Sequence, residues 1–272
     1  ASLWLFWGIP LPTELASVQV PVSTKLFDRN GKLIYEIYLD KKSTPIKLEE
    51  IPDVVKKATI AIEDKDFYKH YGVSFSGIAR AAYKTIVKRK LQGGSTLTQQ
   101  LVKNSLLTPE RTIRRKLREF VLTLVAESIY SKDKILELYL NQIPYGSTAY
   151  GIGAASELYF GKSAKDLSLS EATLLAGLPA APSTYSPFGA RPELAKGRQE
   201  LVLGQMVDEK FITKEDEEKA KNEELKFSKG QKFNAPHFSL WVKEQLAEKY
   251  GEAVVEKGGL RVTTTLDLTL QD

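Results

Sequence analysis

The chain has 272 residues, 42% of them hydrophobic, enough for one good core and a small annex. Its net charge of +5 is uneven, because Arg80 to Arg118 carries eleven Lys or Arg against one acid, Glu110, a local +10 that leaves −5 for everything else. Such a patch fits a phosphorylated ligand or an anionic membrane surface. Nucleic acid fits worst, since no exposed aromatics are interleaved with the charges and no helix-turn-helix, zinc-finger or single-strand-binding signature accompanies them.

The chain opens on ASLWLFWGIPLP, whose first nine residues are uncharged. Nine residues are too few to cross a bilayer, which takes roughly 20. The run reads as the outer end of a single transmembrane anchor with Trp4 and Trp7 at the interface, ahead of a signal-peptide remnant or an ordinary buried segment. Residues 22–39 read as two strands around Asn30-Gly31, a hairpin turn signal. From Pro52 to Tyr250 the pattern is almost wholly helical. Ser95, Thr96 and Thr98, within GGSTLTQQLVKN at 93–104, read as a helix start capped by a hydroxyl. On that helix Gln99 and Gln100 share a face with Lys103 and Asn104.

In TPERTIRRKLREFVLTLVAESIY, 108–130, Thr108 as N-cap and Pro109 at the first helical position mark the next start. Ile113, Leu117, Phe120, Val121 and Leu124 form one apolar stripe and are expected in the core, with Arg111, Arg115 and Arg118 opposite and Glu119 close to Arg115 on the wheel. Past residue 120 the sequence is apolar almost all round, through Leu122, Val125, Ala126 and Ile129, so the helix is expected to run into the interior. Ser131 in SKDK reads as the N-cap of the following ILELYL helix rather than as a nucleophile. Ser168 with Glu171 forms a capping box, and Thr213 starts a helix in the same manner. Pro144-Tyr145-Gly146, Gly151, Gly153 and the run Pro179, Pro182, Pro187 mark loops. After Gly258-Gly259 the composition turns strand-like. The expected layout is an anchor remnant at 1–9, a main domain at 20–250 and, from 251 to 272, a linker or the start of a following unit.

No internal repeat, low-complexity tract or phosphate-binding P-loop is present, and the GIG at 151–153 lacks the context of a dinucleotide site. The absence of cysteine leaves the redox compartment open. His70 and His237, the only histidines, give a His-based metal site or a Ser-His-Asp triad little to draw on. What stands out is a pair of carboxylates, Glu63 and Glu119, flanking a cluster of hydroxyls, amides and lysine. Inverting glycosyl transfer needs a carboxylate as general base on the incoming hydroxyl. If the leaving group is a pyrophosphate, it needs only cations to stabilise its charge.

EDKDFYKHYG, GGSTLTQQLVKN, RKLRE, KDKILELYLNQIPYG and ARPELAKGRQELVLGQM closely resemble, in order, the motifs of the peptidoglycan glycosyltransferase domain of class A penicillin-binding proteins and their monofunctional relatives. The resemblance runs from about Lys25 to Met206. It implies a mainly α, lysozyme-like domain with short β segments at the N-terminal hairpin and the C-terminal end, and a membrane-facing flap at 73–91 ending in Lys88, Arg89 and Lys90. The implied activity is polymerisation of lipid II into β-1,4-linked glycan with inversion and release of undecaprenyl pyrophosphate, on the extracytoplasmic side of a bacterial membrane.

Carried over by motif, Glu63 matches the glutamate that takes the proton from the acceptor hydroxyl, and Glu119 the second glutamate, orienting polar groups or helping hold a Mg or Mn ion at the pyrophosphate. No cofactor is otherwise required. Lys103 and Arg111 match the residues that grip the donor pyrophosphate, with Ser95, Gln100, Asn104, Lys116 and Arg118 lining the same cleft. Asp64, Phe67, His70 and Gly72 complete the first motif, where holding Glu63 is at least as good a role as direct contact. Arg198 matches the basic residue of the last motif, in support of the cleft. The implied partners are lipid II, the growing lipid-linked strand, the cytoplasmic membrane and moenomycin-type inhibitors, with no nucleic acid. VAESIYSKDK departs from the more strongly charged stretch usual before KILELYLN. A lytic muramidase shares the fold and a lone glutamate but has no use for a +10 segment beside the leaving group. A non-enzymatic cell-wall scaffold would need neither glutamate.

Overall fold

The computed structural model describes residues 12–16, 24–37, 45–74, 94–107, 112–146, 149–182, 184–188, 191–228, 235–250, 255 and 260–271. The expected anchor remnant, Arg111, the helix start at Thr108-Pro109, the Lys88 to Lys90 cluster and all but the first two residues of the flap lie outside the described residues. Among the described residues no helix is long and apolar enough to cross a membrane.

The hairpin forms as its turn signal demands. Strands β1 (Thr24–Phe27) and β2 (Leu33–Ile37) pair antiparallel. The Asp28 carboxylate accepts from the amides of Asn30 at 2.8 Å and Lys32 at 2.7 Å, and Gly31 takes the positive φ of 80° that the turn requires. The strand-like C-terminal stretch yields β3 (Arg261–Thr263), which lies parallel to β1, so the sheet order is β2-β1-β3. Leu26, Val242 and Val255 form a small core beneath it.

The rest is helical: α1 (Asp53–Glu63), α2 (Leu97–Leu106), α3 (Ile113–Ile129), α4 (Lys132–Gln142), α5 (Ile152–Phe160), α6 (Leu169–Gly177), α7 (Glu193–Asp208), α8 (Lys214–Asn222) and α9 (Pro236–Tyr250). Their starts follow the sequence signals. Thr96 caps α2 in a full capping box with Gln99, so Gln99 serves the cap rather than the face it was expected to share with Lys103. Ser131, Ser168 and Thr213 cap α4, α6 and α8. Two packing groups result. Helix α1 lies on α6 and α7, where Ala58, Ala61 and Ala176 let backbones approach Val202 and Met206. Helix α2 lies between α3 and α4, and the turn Pro12–Ala16 packs on α2 and α3.

Helix α3 departs from expectation twice. It begins at Ile113 with Thr112 as its cap, because the Thr112 hydroxyl accepts the Arg115 amide at 3.1 Å and satisfies one of the free donors of the first turn. Its apolar stripe is not core: Ile113 is 83% exposed, Leu117 50%, Phe120 41% and Leu124 42%. Val125 and Ile129 are exposed as well, so the helix does not run wholly into the interior. The buried face is the one carrying Glu119, Leu122, Thr123 and Ala126. Periodicity locates an amphipathic axis but not its sign, and here the inward face carries Glu119, paired with Arg115 and Lys116. Leu117→Gln is therefore expected to change unfolding free energy by less than about 0.5 kcal/mol, whereas Leu122→Ala removes about 2 to 4 kcal/mol. Urea midpoints of the two variants check this, and similar losses in both would restore the stripe to the core.

Candidate active site

Glu63 is the last residue of α1, where the two packing groups meet. Its side chain is only 10% exposed. A carboxylate here is opposed by burial and by the negative end of the helix dipole. The amide of Gln100, on α2, donates to Oε2 at 2.6 Å. Arg198, on α7, brings Nη2 to 3.7 Å from Oε1, and that oxygen is buried without a hydrogen-bond partner. Burial raises the Glu63 carboxyl above its ordinary value, against the lowering effect of Gln100, Arg198 and Lys103, while Asp64 adds to the rise. Tyr139 and Tyr145 are fully buried and face its charge.

The next residues form the frame. The Asp64 carboxylate accepts from Leu97 N at 3.1 Å, in the first turn of α2, and meets Nε2 of His70 at 2.9 Å. It thus ties the end of α1 to the start of α2. Phe67, for which holding Glu63 was at least as good a role as direct contact, has no exposed surface. It is packed edge-on against His70 and beneath Lys132, whose Nζ lies 4.6 Å from the ring centre, a placement that accords with the packing role. Gly72 has φ 77°, and a Cβ there would stand 2.6 Å from Cγ2 of Thr123.

Glu119 is buried on α3 with both oxygens engaged, Oε2 by Arg115 at 2.9 Å and Oε1 by Lys116. Lys116 also reaches the Ser95 hydroxyl at 3.5 Å, just before α2. Lys103 and Asn104 are exposed on α2, and Arg118 is half-buried on α3. A divalent cation at Glu119 does not fit this arrangement: its oxygens already hold two cationic side chains, and among the described residues no group of three acidic, histidine or cysteine side chains is placed to hold a metal.

A family model described as Transglycosylase matches residues 30–207. The chain belongs to the transglycosylase family. Penicillin-binding protein 1A of Aquifex aeolicus is 43% identical over 269 residues, 98% of this chain and 37% of that protein. Its namesake in Vibrio cholerae is 41% identical over 267 residues, 97% of this chain and 32% of that protein. The crystal structure of penicillin-binding protein 1A from Haemophilus influenzae matches with a TM-score of 0.56 at 28% identity, covering 93% of this chain and 28% of that one. The chain spans about a third of the length of the curated relatives it matches.

Within this transglycosylase fold the geometry sharpens the place of one residue already singled out and adds one that sequence reading passed over. Arg198, assigned a supporting part, lies directly beside Glu63 and stacks over Tyr185 at 5.4 Å. Its Nε donates to the Gly177 carbonyl at 3.2 Å, and a Cβ at Gly177 would stand 2.8 Å from its Cγ, so only glycine lets the arginine through. Tyr139 was hidden in the apolar ILELYL run, where a phenol on a buried face was the available signal, since its hydroxyl needs a partner.

Because burial raises its carboxyl, Glu63 favours the folded state fully below the ordinary carboxylate value and loses that contribution as pH rises through its own elevated value. Glu63→Gln is thus expected to melt higher than the parent at neutral pH, with the gap closing as pH falls through the raised Glu63 value and gone below about 4. Melting curves across pH test this, and a variant that melts lower at neutral pH contradicts it.

Proposed function

We propose that this chain is a peptidoglycan glycosyltransferase that extends a lipid-linked glycan strand from lipid II. The observation that carries the reading is Glu63: a buried carboxyl of raised proton affinity with one oxygen free of hydrogen bonds. Family membership supports the substrate class. In the proposed step Glu63 takes the proton of the acceptor sugar's C4 hydroxyl as O4 forms its bond to C1 of the donor sugar. The bond from C1 to the pyrophosphate oxygen breaks on the opposite face, and configuration inverts. The leaving pyrophosphate carries the displaced electron pair and needs charge stabilisation rather than a proton. Lys103 and Lys116 are the described cations suited to that role, with Ser95 as a hydroxyl donor beside Lys116. Arg198 limits the rise in Glu63 proton affinity that burial causes, and a carboxylate of raised proton affinity is the better general base.

The membrane belongs to the proposal. A polyprenyl-linked substrate resides in a bilayer, and the uncharged N-terminal run and local +10 segment are the sequence features suited to one. An extracytoplasmic location, a small flap over the cleft and inhibition by moenomycin are further parts of the reading.

Glu63→Gln is expected to reduce polymerisation of lipid II by about 10²- to 10⁴-fold with the fold intact, because shape is kept and the proton acceptor is lost. Gel analysis of glycan products decides it, and retention of more than about a tenth of parent activity removes Glu63 from the mechanism. Lys103→Ala is expected to weaken moenomycin binding about ten- to a hundredfold, the scale of one lost charge-assisted phosphate contact. An unchanged Kd would take Lys103 out of the pyrophosphate site.

A further inference from the structure

The two oxygens of Glu63 are not equivalent. Oε2 accepts from Gln100 Nε2 at 2.6 Å, while Oε1 is buried, lacks a hydrogen-bond partner and lies 3.7 Å from Arg198. An ionised carboxylate only accepts, so the amide must present its nitrogen to Glu63 and turn its own oxygen away. That oxygen meets the hydroxyl of Tyr139, which donates to it at 3.3 Å. Tyr139 is fully buried on α4, a different element from either partner.

We propose that Tyr139 is a positioning residue for the transfer: by donating to Gln100 Oε1 it locks the amide so that Nε2 engages Glu63 Oε2, leaving Oε1, which has no hydrogen bond, as the oxygen that takes the acceptor's proton. The inference rests on Glu63 being the general base. Burial pushes the Tyr139 phenol well above its ordinary value, and the charge of Glu63 adds to the effect, so the hydroxyl keeps its proton and remains a donor. Without it, Gln100 Oε1 is left buried and unpaired, a state that favours turning the amide over. A carbonyl facing Glu63 is compatible only with the protonated acid, which would donate to it. The proton-accepting form is depleted. The other groups facing Glu63 stay in place: Arg198 from α7, Lys103 from α2, Asp64 beside it and Tyr145 from the loop after α4.

The test is the pH profile of kcat for lipid II polymerisation. Tyr139→Phe is expected to move the acid limb upward by about half to one pH unit, the scale of one lost neutral hydrogen bond, while KM shifts less than about twofold. 3-Fluorotyrosine at position 139 keeps the ring shape and strengthens the donor, so it is expected to move the limb the other way and covers the case in which Tyr139→Phe does not fold. In a Gln100→Leu background Tyr139→Phe is expected to move the limb no further, because the phenol acts only through the amide. A limb unmoved by the phenylalanine and fluorotyrosine replacements alike, or one that moves equally with and without Gln100, overturns the proposal. Rate lost evenly across pH with a lowered melting point would make Tyr139 packing alone and also overturns it. Glu63→Gln run alongside separates the two levels: if it is active the underlying reading fails, and if it is inactive while the limb stays fixed only the role of Tyr139 fails.

Discussion

The constraint on which the rest depends is the burial of a carboxyl at the carboxyl end of a helix. Desolvation and the α1 dipole both oppose ionisation of Glu63, and full removal of a charge from water costs several kcal/mol even after relaxation. The surroundings offset this only in part. One charge-assisted hydrogen bond from Gln100 contributes about 1.5 to 3 kcal/mol, and Arg198 acts at 3.7 Å, too far for a hydrogen bond. A closer arginine would hold the carboxylate more firmly and make it a weaker base. Under the proposed function, this incomplete compensation suits Glu63 to receive a proton.

Glu119 shows the opposite solution within the same fold. Both of its oxygens are taken by cations of its own helix, Arg115 four residues back and Lys116 three. Neither oxygen is open to a substrate proton. Its effect is to gather positive charge and to hold the Lys116 ammonium within reach of Ser95. Two buried glutamates thus divide the labour by environment, one kept basic and under-paired, the other saturated so that its partners are placed.

Local chemistry was legible in the sequence wherever the signal and its consequence lie within a few residues. Asn30-Gly31, the hydroxyl cap at the start of α2, the boxes at Ser168 and Thr213, and Ser131 as a cap all appear where their side chains dictate. Glu63 and Gln100 were singled out because their motifs are distinctive, but that one donates to the other follows from tertiary packing. The passage of Arg198 over Gly177 joins segments far apart in the chain, and no spacing rule reports it. Helix α3 was misread for a specific reason: hydrophobic periodicity assumes that the apolar side faces in, whereas the inward face of α3 carries Glu119 with its paired cations.

That inversion sets a problem for stability that one glycine helps to solve. With Ile113, Leu117, Phe120 and Leu124 outward, α3 keeps a buried face of mainly small or polar residues, so close backbone approach must replace large side-chain burial. Gly72 supplies it. Lacking a Cβ, it sits against Thr123 and Glu127 of α3, while its carbonyl accepts the Thr96 hydroxyl at 2.6 Å at the start of α2. The loop that begins at Asp64 is therefore fastened at both ends to α2, by Asp64 through Leu97 N and by Gly72 through Thr96, and its far end rests on α3. Glu63 precedes that loop and Gln100 follows its anchor points by one helical turn. The contact between Glu63 and Gln100 is consequently held by the same loop and α2 contacts that rest on the inward face of α3.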